Sequence, residues 1–238
     1  MTGAIREAVL GTYEAVGRRG SRSPMGEAIP TGAALARDLG YPATDLAAVP
    51  TPVLEAFVGA GAVTREVEGD GCDWVADLGC GAGVDALILA RRGFRVIAID
   101  AARSMLARLT VAARASGAGL VAPIRSIVPP IPLGDGTMGW VWMNGAANLV
   151  PDRVALLAEV HRVLRAGGVF VAADLFAIGP IPDDLRASPE AWAWCVGGAT
   201  APETWERDLA AAGFGGVRIE IAESLPPLGR GTVRAVNG

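Results

Sequence analysis

VADLGCGAGVDAL, residues 75–87, leads from one apolar run through three alternating glycines into a second apolar run. It reads as a buried strand ending near Asp77, a turn through Gly79, Gly81 and Gly83, and the start of a helix. Glycines at such a turn let the backbone approach a ligand closely, because no Cβ intervenes. The helix start beyond them favours a negatively charged group, a carboxylate or a phosphate. The next apolar run, RVIAID at 95–100, reads as a second strand with Asp100 at its tip. A carboxylate there can accept hydrogen bonds from both hydroxyls of an adenosine ribose.

Two cofactor classes use this device, and the loop separates them. The dinucleotide fingerprint G-x-G-x-x-G/A ends in a small residue, and here Val84 takes that place. Asp77 would also set an anion beside a pyrophosphate. It suits S-adenosylmethionine, which carries an ammonium and a sulfonium. The predicted cofactor site is therefore Asp77, Gly79, Cys80, Gly81, Gly83 and Asp100, followed by Ala101 and Met105. Met105 either packs over the adenine or fills core.

Outward from the loop, short strands alternate with helices. Strands are expected at 74–78, 95–99, 120–124, 139–143, 168–173, 217–222 and 232–236, and helices at 84–92, 104–115, 152–164 and 203–212. This alternation predicts an α/β fold, a Rossmann-like, mostly parallel seven-stranded sheet with helices on both faces. Before it, 2–18 places Ile5, Val9, Tyr13 and Val16 on one face of a helix, with shorter helical pieces at 32–39 and 51–59. Two units follow: an N-terminal helical arm or lid at 1–70, and a cofactor-binding domain at 71–238 with a substrate-covering insertion at about 176–202.

Composition narrows the functions. The chain has 238 residues, of which 51% are hydrophobic and 19% charged, with a formal net charge of −4. That is enough for a large core and lacks the basic patch of a nucleic-acid binder. There is no lysine, which excludes a Schiff-base lysine or a phosphate-loop lysine. No apolar run approaches the ~20 residues of a membrane span, and Arg6 and Glu7 interrupt any signal-like start. These features predict a cytoplasmic protein, a monomer or homodimer, acting on a small molecule without nucleic acid or membrane. Cys72, Cys80, Cys195 and the single His161 are scattered, so no metal site is expected.

With the loop, Asp100, GWVWMN at 139–144 and LLAEVHRVLRAGGVFVAAD at 156–174, the sequence resembles the class I S-adenosylmethionine-dependent methyltransferases over about 74–236. The resemblance implies that the loop holds the methionine end of the cofactor, that Asp100 binds its ribose, and that 144–150 faces the methyl group. Asn144 is thereby implied in cofactor binding, and Ile127 stands where the family carries an acidic adenine contact.

A narrower resemblance, to the arsenite methyltransferase branch, rests on LGYPATDLAAVP at 39–50, ANLVPDR at 147–153 and IPDDLRASPEAWAWCVGGA at 181–199. The last contains a P-E-x-W-x-x-C-x-x-G spacing whose cysteine, here Cys195, is an arsenic ligand in that branch. The departures are equally specific. SRSPMGEA replaces the branch's N-terminal cysteine pair, and Gly145 stands where a cysteine often follows the fourth strand. Trivalent arsenic favours three thiolates, which implies a relative that kept the scaffold and lost the metalloid site.

Methyl transfer from a sulfonium depends mainly on alignment and water exclusion. Asn144 and Asn148 are the catalytic candidates, Asn148 having helix capping near Pro151 as its alternative. Asn148, Trp192 and Cys195 are the expected acceptor contacts, and Cys195 doubles as an ordinary apolar filler. Trp140 and Trp142 should share one face of the sheet and pack on a helix, and His161 reads as a helix-packing residue. The arm and the insertion form an apolar lid suited to a small organic acceptor. Arsenite methylation with few thiolates, a cofactor-binding relative that transfers no methyl group, and a nicotinamide-dependent reductase are the alternatives.

Overall fold

A computed structural model describes residues 2–21, 30–67, 73–117 and 120–238. Cys72 and most of the SRSPMGEA stretch lie outside the described residues. The fold is a seven-stranded sheet in the order β3-β2-β1-β4-β5-β7-β6, with β1 (Trp74–Leu78), β2 (Arg95–Asp100), β3 (Val121–Arg125), β4 (Met138–Asn144), β5 (Leu164–Ala177), β6 (Phe214–Leu225) and β7 (Leu228–Asn237). β1 to β5 pair in parallel, while β7 runs antiparallel to both of its neighbours. The strand order reverses between β1 and β4, so the crevice at their carboxyl ends is where such a sheet takes its ligand.

Both faces of the sheet are buried, and side-chain alternation sorts them. Val75, Trp140, Trp142, Val169 and Val171 face one core, together with α5 (Val84–Arg91) and α6 (Arg103–Ala115). The two tryptophans thus share a face, as their spacing requires. Ala76, Leu78, Val141, Met143, Phe170 and Ala172 face the other core, under α7 (Arg153–Val163) and α10 (Pro202–Ala211). His161 lies at the end of α7, with its ring edge-on to Phe214 at 5.3 Å.

The N-terminal part is built into the first core. α2 (Gly32–Asp38), α3 (Ala43–Leu46) and α4 (Thr51–Leu54) contribute Leu35, Leu46 and Val53 to the same cluster as Trp140. α1 (Thr2–Arg19) packs against α6 and against α9 (Pro189–Ala193), which follows the short α8 (Asp183–Ala187). Glu14 fixes that contact. Its carboxylate accepts from the N–H groups of Arg103 (2.6 Å) and Ser104 (3.3 Å), capping the start of α6, and its carbonyl accepts from the Ser104 hydroxyl at 2.9 Å.

Several expected boundaries move, and β5, β6 and β7 are all longer than expected. The helix expected at 51–59 stops at Leu54, where the Ala56 and Phe57 N–H groups turn to the carbonyls of Val53 and Leu54, three residues back. Further on, the Ala60 and Gly61 N–H groups reach the Asn144 side-chain oxygen at 2.7 and 3.2 Å. β5 outruns its expected end at Ala173, because antiparallel pairing with β7 continues to Ala177 opposite Leu228.

Candidate active site

The glycine loop leaves β1 at the reversal point, beneath a cavity of about 370 Å³. Gly79 and Gly83 both adopt positive φ, 73° and 89°, and neither has room for a side chain. A Cβ on Gly79 would stand 2.5 Å from the Ala146 Cβ, and one on Gly83 2.3 Å from Leu109 Cδ1. Gly81 instead faces open space, with nothing within 4 Å of an added Cβ. The loop therefore packs tightly on its neighbours while leaving bare backbone toward the cavity.

Three carboxylates converge on this loop. Asp100 accepts from the Gly81 N–H at 2.8 Å and the Ala102 N–H at 2.7 Å, which binds the tip of β2 to the loop. Asp85, on the first turn of α5, accepts from the Tyr41 hydroxyl at 2.5 Å and the Asn144 amide at 2.9 Å. Asp77 is 2% exposed; its Oδ2 makes no hydrogen bond of good geometry, although the neighbouring Trp142 indole N–H is close enough to favour its ionised form. Burial raises the pKa of Asp77 well above the usual range, reinforced by the charges of Asp85 and Asp100. Burial also raises Asp85, to about 6, and Asp100. Among the described residues, no arginine or histidine forms an ion pair with any of the three. A buried carboxylate without a countercharge is costly, so the cavity calls for a cationic ligand. This chemistry fits the ammonium and sulfonium of S-adenosylmethionine and disfavours a pyrophosphate.

The other cofactor candidates fall on the same cavity. Cys80, Ala101, Met105 and Ile127 line it. Met105 is 1% exposed and belongs to the core beneath the pocket, whereas Ile127 is 54% exposed at the rim. The Cys80 thiol is pushed up by burial and by Asp77 and Asp100. α1 closes the opposite side with Val9, Leu10 and Tyr13, and carries the exposed Arg6 and Glu7 to the edge. Burial holds the Tyr13 phenol protonated, helped by the nearby Cys195, Asp174 and Asp100.

The acceptor candidates are placed differently from expectation. Asn144 does line the cavity, but its amide is fully engaged. Its oxygen takes the Ala60 and Gly61 N–H groups, and its nitrogen contacts Tyr41, Gly61 and Asp85 at 2.8–2.9 Å. Asn144 is a clamp on the chain at 59–61 and has no free group for orienting an acceptor.

Asn148 is 1% exposed and turned into the protein, donating from Nδ2 to Asp174 Oδ1 (2.9 Å) and to the Leu175 carbonyl (2.7 Å). Its backbone N–H also reaches Asp174 Oδ2 at 2.9 Å. The capping role on α7 belongs to Asp152, which accepts from the Ala155 N–H at 2.9 Å. Asn148 is therefore a buried partner of Asp174.

Trp192 does not line the cavity. Its indole N–H donates to the Arg186 carbonyl at 2.9 Å, and its ring covers Gly197, where a Cβ would come within 2.3 Å. It staples the insertion to itself. Cys195 lies one layer behind the cavity wall, with φ of 64° and its thiol 3.3 Å from the Gly145 carbonyl. Burial and Asp174 hold that thiol well above its usual pKa, so it stays protonated. Asn148, Trp192 and Cys195 are not among the cavity-lining residues, and the Cys195 thiol meets the lining at the Gly145 carbonyl.

Sequence reasoning passed over Tyr41, Asp85 and Asp174. Asp85 carried a signal, being the lone acid in the otherwise apolar first turns of VDALILAR.

Comparison with known proteins agrees with the geometry. Residues 76–172 match the family model described as a methyltransferase domain. The sheet and helices over 74–237 have the fold of the class I S-adenosylmethionine-dependent methyltransferases. An arsenite methyltransferase from Halobacterium salinarum is 29% identical over 184 residues, covering 76% of this chain and 47% of that protein. The domain thus spans about half the length of this curated relative. A malonyl-[acyl-carrier protein] O-methyltransferase from Hamiltonella defensa is 33% identical over 119 residues, half of this chain and 42% of its own. Among solved structures, an arsenic(III) S-adenosylmethionine methyltransferase from Chlamydomonas reinhardtii superposes with a TM-score of 0.64 at 23% identity, over 83% of this chain and 74% of that one. It shares the class I fold. No helix among the described residues is long and apolar enough to cross a membrane.

Proposed function

We propose that the protein transfers the methyl group of S-adenosylmethionine to a small, apolar organic acceptor. The observation that carries the cofactor half is the buried, unpartnered Asp77 Oδ2 beside bare glycine backbone, with no described arginine or histidine in an ion pair with Asp77, Asp85 or Asp100. When bound, the cofactor supplies an electrophilic methyl on a sulfonium, which an acceptor lone pair displaces as a neutral thioether leaves.

The chain's own contribution is placement and exclusion of water. Asp100 is set by the loop N–H of Gly81 to face a ribose, and Asp77 to face a cation. Leu10, Phe57, Val58, Leu149, Val150 and Pro151 make the remaining wall apolar. That wall suits an organic acceptor, and no positioned base is required of it. The protonated Tyr13 phenol, carried in on α1, is the polar group best placed to orient such a molecule.

Arsenite methylation is the second reading, favoured by the relatives and by the thiol of Cys195 lying against Gly145. Against it, Cys80 sits in the glycine loop and Cys195 behind the wall beside Asp174, two different surroundings. Purified protein incubated with methyl-labelled S-adenosylmethionine tests both. Label is expected in apolar nucleophiles from a small-molecule panel and not in arsenite. Label in arsenite alone would reverse the two readings, and tight cofactor binding with no product from any acceptor would leave a protein that uses the cofactor without transferring its methyl group.

A further inference from the structure

Asp85 is 6% exposed, lines the same cavity as Asp77, and depresses its neighbour's ionisation by its own charge. Neither oxygen of Asp85 meets a cation. Oδ1 takes the Tyr41 hydroxyl and Oδ2 the Asn144 amide, both neutral donors. Arg92, just past the far end of α5 and the arginine whose charge reaches Asp85, is already engaged by the Thr64 carbonyl (2.5 Å) and by Asp45 (2.6 Å). Two buried carboxylates therefore share one electrostatic problem, and Asp77, whose Oδ2 is buried without a hydrogen-bond partner, belongs to the cavity lining. The partners of Asp85 also reach elsewhere. The Tyr41 hydroxyl lies 3.1 Å from the Gly61 carbonyl, and Asn144 holds both N–H groups at 60–61. Gly59, with Phe57 and Val58, forms the cavity wall in front of that clamp.

We propose that Asp85 is a positioning residue that completes, with Asp77, a two-carboxylate seat for the ammonium of the methyl donor's amino-acid end, and that Tyr41 and Asn144 fasten this seat to the wall at 57–61. The proposal rests on the methyl-donor reading above. Its physical basis is that a single ammonium relieves the desolvation and mutual repulsion of both carboxylates, so the site discriminates for the charged end of the ligand more than for the adenosine. The same seat binds the donor and sets the wall against which an acceptor packs.

Calorimetric titration with two adenosine ligands tests it. S-adenosylhomocysteine carries the amino-acid end, and 5′-methylthioadenosine lacks it. Asp85→Asn is expected to weaken S-adenosylhomocysteine by roughly tenfold or more, the size of one charge-assisted hydrogen bond, while 5′-methylthioadenosine stays within about twofold. Equal losses for both ligands, the mark of a merely structural residue, or no loss for either, would overturn the proposal.

Should Asp85→Asn fail to fold, the pH dependence decides. The groups facing Asp85 are Asp77 from β1, Tyr41 from the turn before α3, Asn144 from β4 and, at longer range, Arg92, with Asp100 behind Asp77. The wild-type preference for S-adenosylhomocysteine over 5′-methylthioadenosine is expected to rise with pH, with its midpoint near the value of about 6 set by burial of Asp85. Tyr41→Phe removes the hydroxyl that stabilises ionised Asp85 and leaves Asp77 untouched, so the midpoint moves upward. An unmoved midpoint would overturn the proposal. Folded wild type that binds neither ligand refutes the methyl-donor reading itself, an outcome separate from any variant.

Discussion

Gly83 shows how far a single residue constrains the site. Its φ of 89° and the 2.3 Å approach of Leu109 to any added Cβ leave no room for alanine. Gly83→Ala is expected to destabilise the fold by about 2 kcal/mol or more, combining left-handed strain with a displaced core leucine. Chemical denaturation measures this, and an unchanged midpoint would contradict the packing described. Asn144→Ala removes the clamp on 59–61 and leaves Asp85 with one neutral donor. Unpairing buried partners costs about 1–3 kcal/mol. A second consequence is that the wall at 57–61 loosens, so acceptor KM should rise more than cofactor Kd. Were Asn144 orienting the acceptor directly, kcat would fall instead.

At the scale of elements, α1 is held by a small number of polar contacts at the start of α6. Glu14 caps Arg103 and Ser104, and Arg108 donates to the Gly17 and Pro52 carbonyls. Hydrogen bonding from Ser104 and from these backbone groups lowers the pKa of Glu14. Glu14→Ala is expected to raise amide exchange along α1 while β1 and β4 stay protected, because the sheet does not depend on the cap. Uniform protection across α1 would show that its apolar contacts alone suffice.

The glycine loop, Asp100, the paired tryptophans and the central strands were legible because each rests on local spacing: period-two burial or a turn that only glycine permits. The acceptor side was not, because its contacts are long-range. Asn148 is claimed by Asp174 and Asn144 by the chain at 59–61, neither visible from the neighbouring sequence. Trp192 looked like a lid and proved to cover the glycines beside it. The arm read as a separate lid also shares the main core, since Leu35, Val53 and Trp140 pack in one cluster.

The whole molecule stores unfavourable electrostatics at one end of its sheet, and its stability should reveal this. Asp85 and Asp174, 6% and 1% exposed, both have folded pKa values raised from 3.8 to about 6 by burial. A carboxylate raised on folding binds its proton more tightly in the native state, so its destabilising effect builds up as pH rises from the unfolded value of 3.8 through the folded value of about 6, is complete above it, and is absent only below the unfolded value. Each group is worth on the order of 2–3 kcal/mol across that whole span, of which roughly 1 kcal/mol falls between pH 5.5 and 7.5. The ligand-free protein should therefore be more stable near pH 5.5 than near pH 7.5 by thermal denaturation. Glu159, lowered to about 2 by Arg162, acts in the opposite sense and only at more acidic pH. Stability that instead rises from pH 5.5 to 7.5 would contradict the burial of both groups. The anionic cavity, the bare glycine backbone and the placement of Asp100 all converge on one ligand, and calorimetric titration of S-adenosylhomocysteine against NADH tests this most directly. The account predicts micromolar affinity for S-adenosylhomocysteine, weakened by Asp100→Ala, and no binding of NADH; binding of NADH in its place, or of neither, would contradict it.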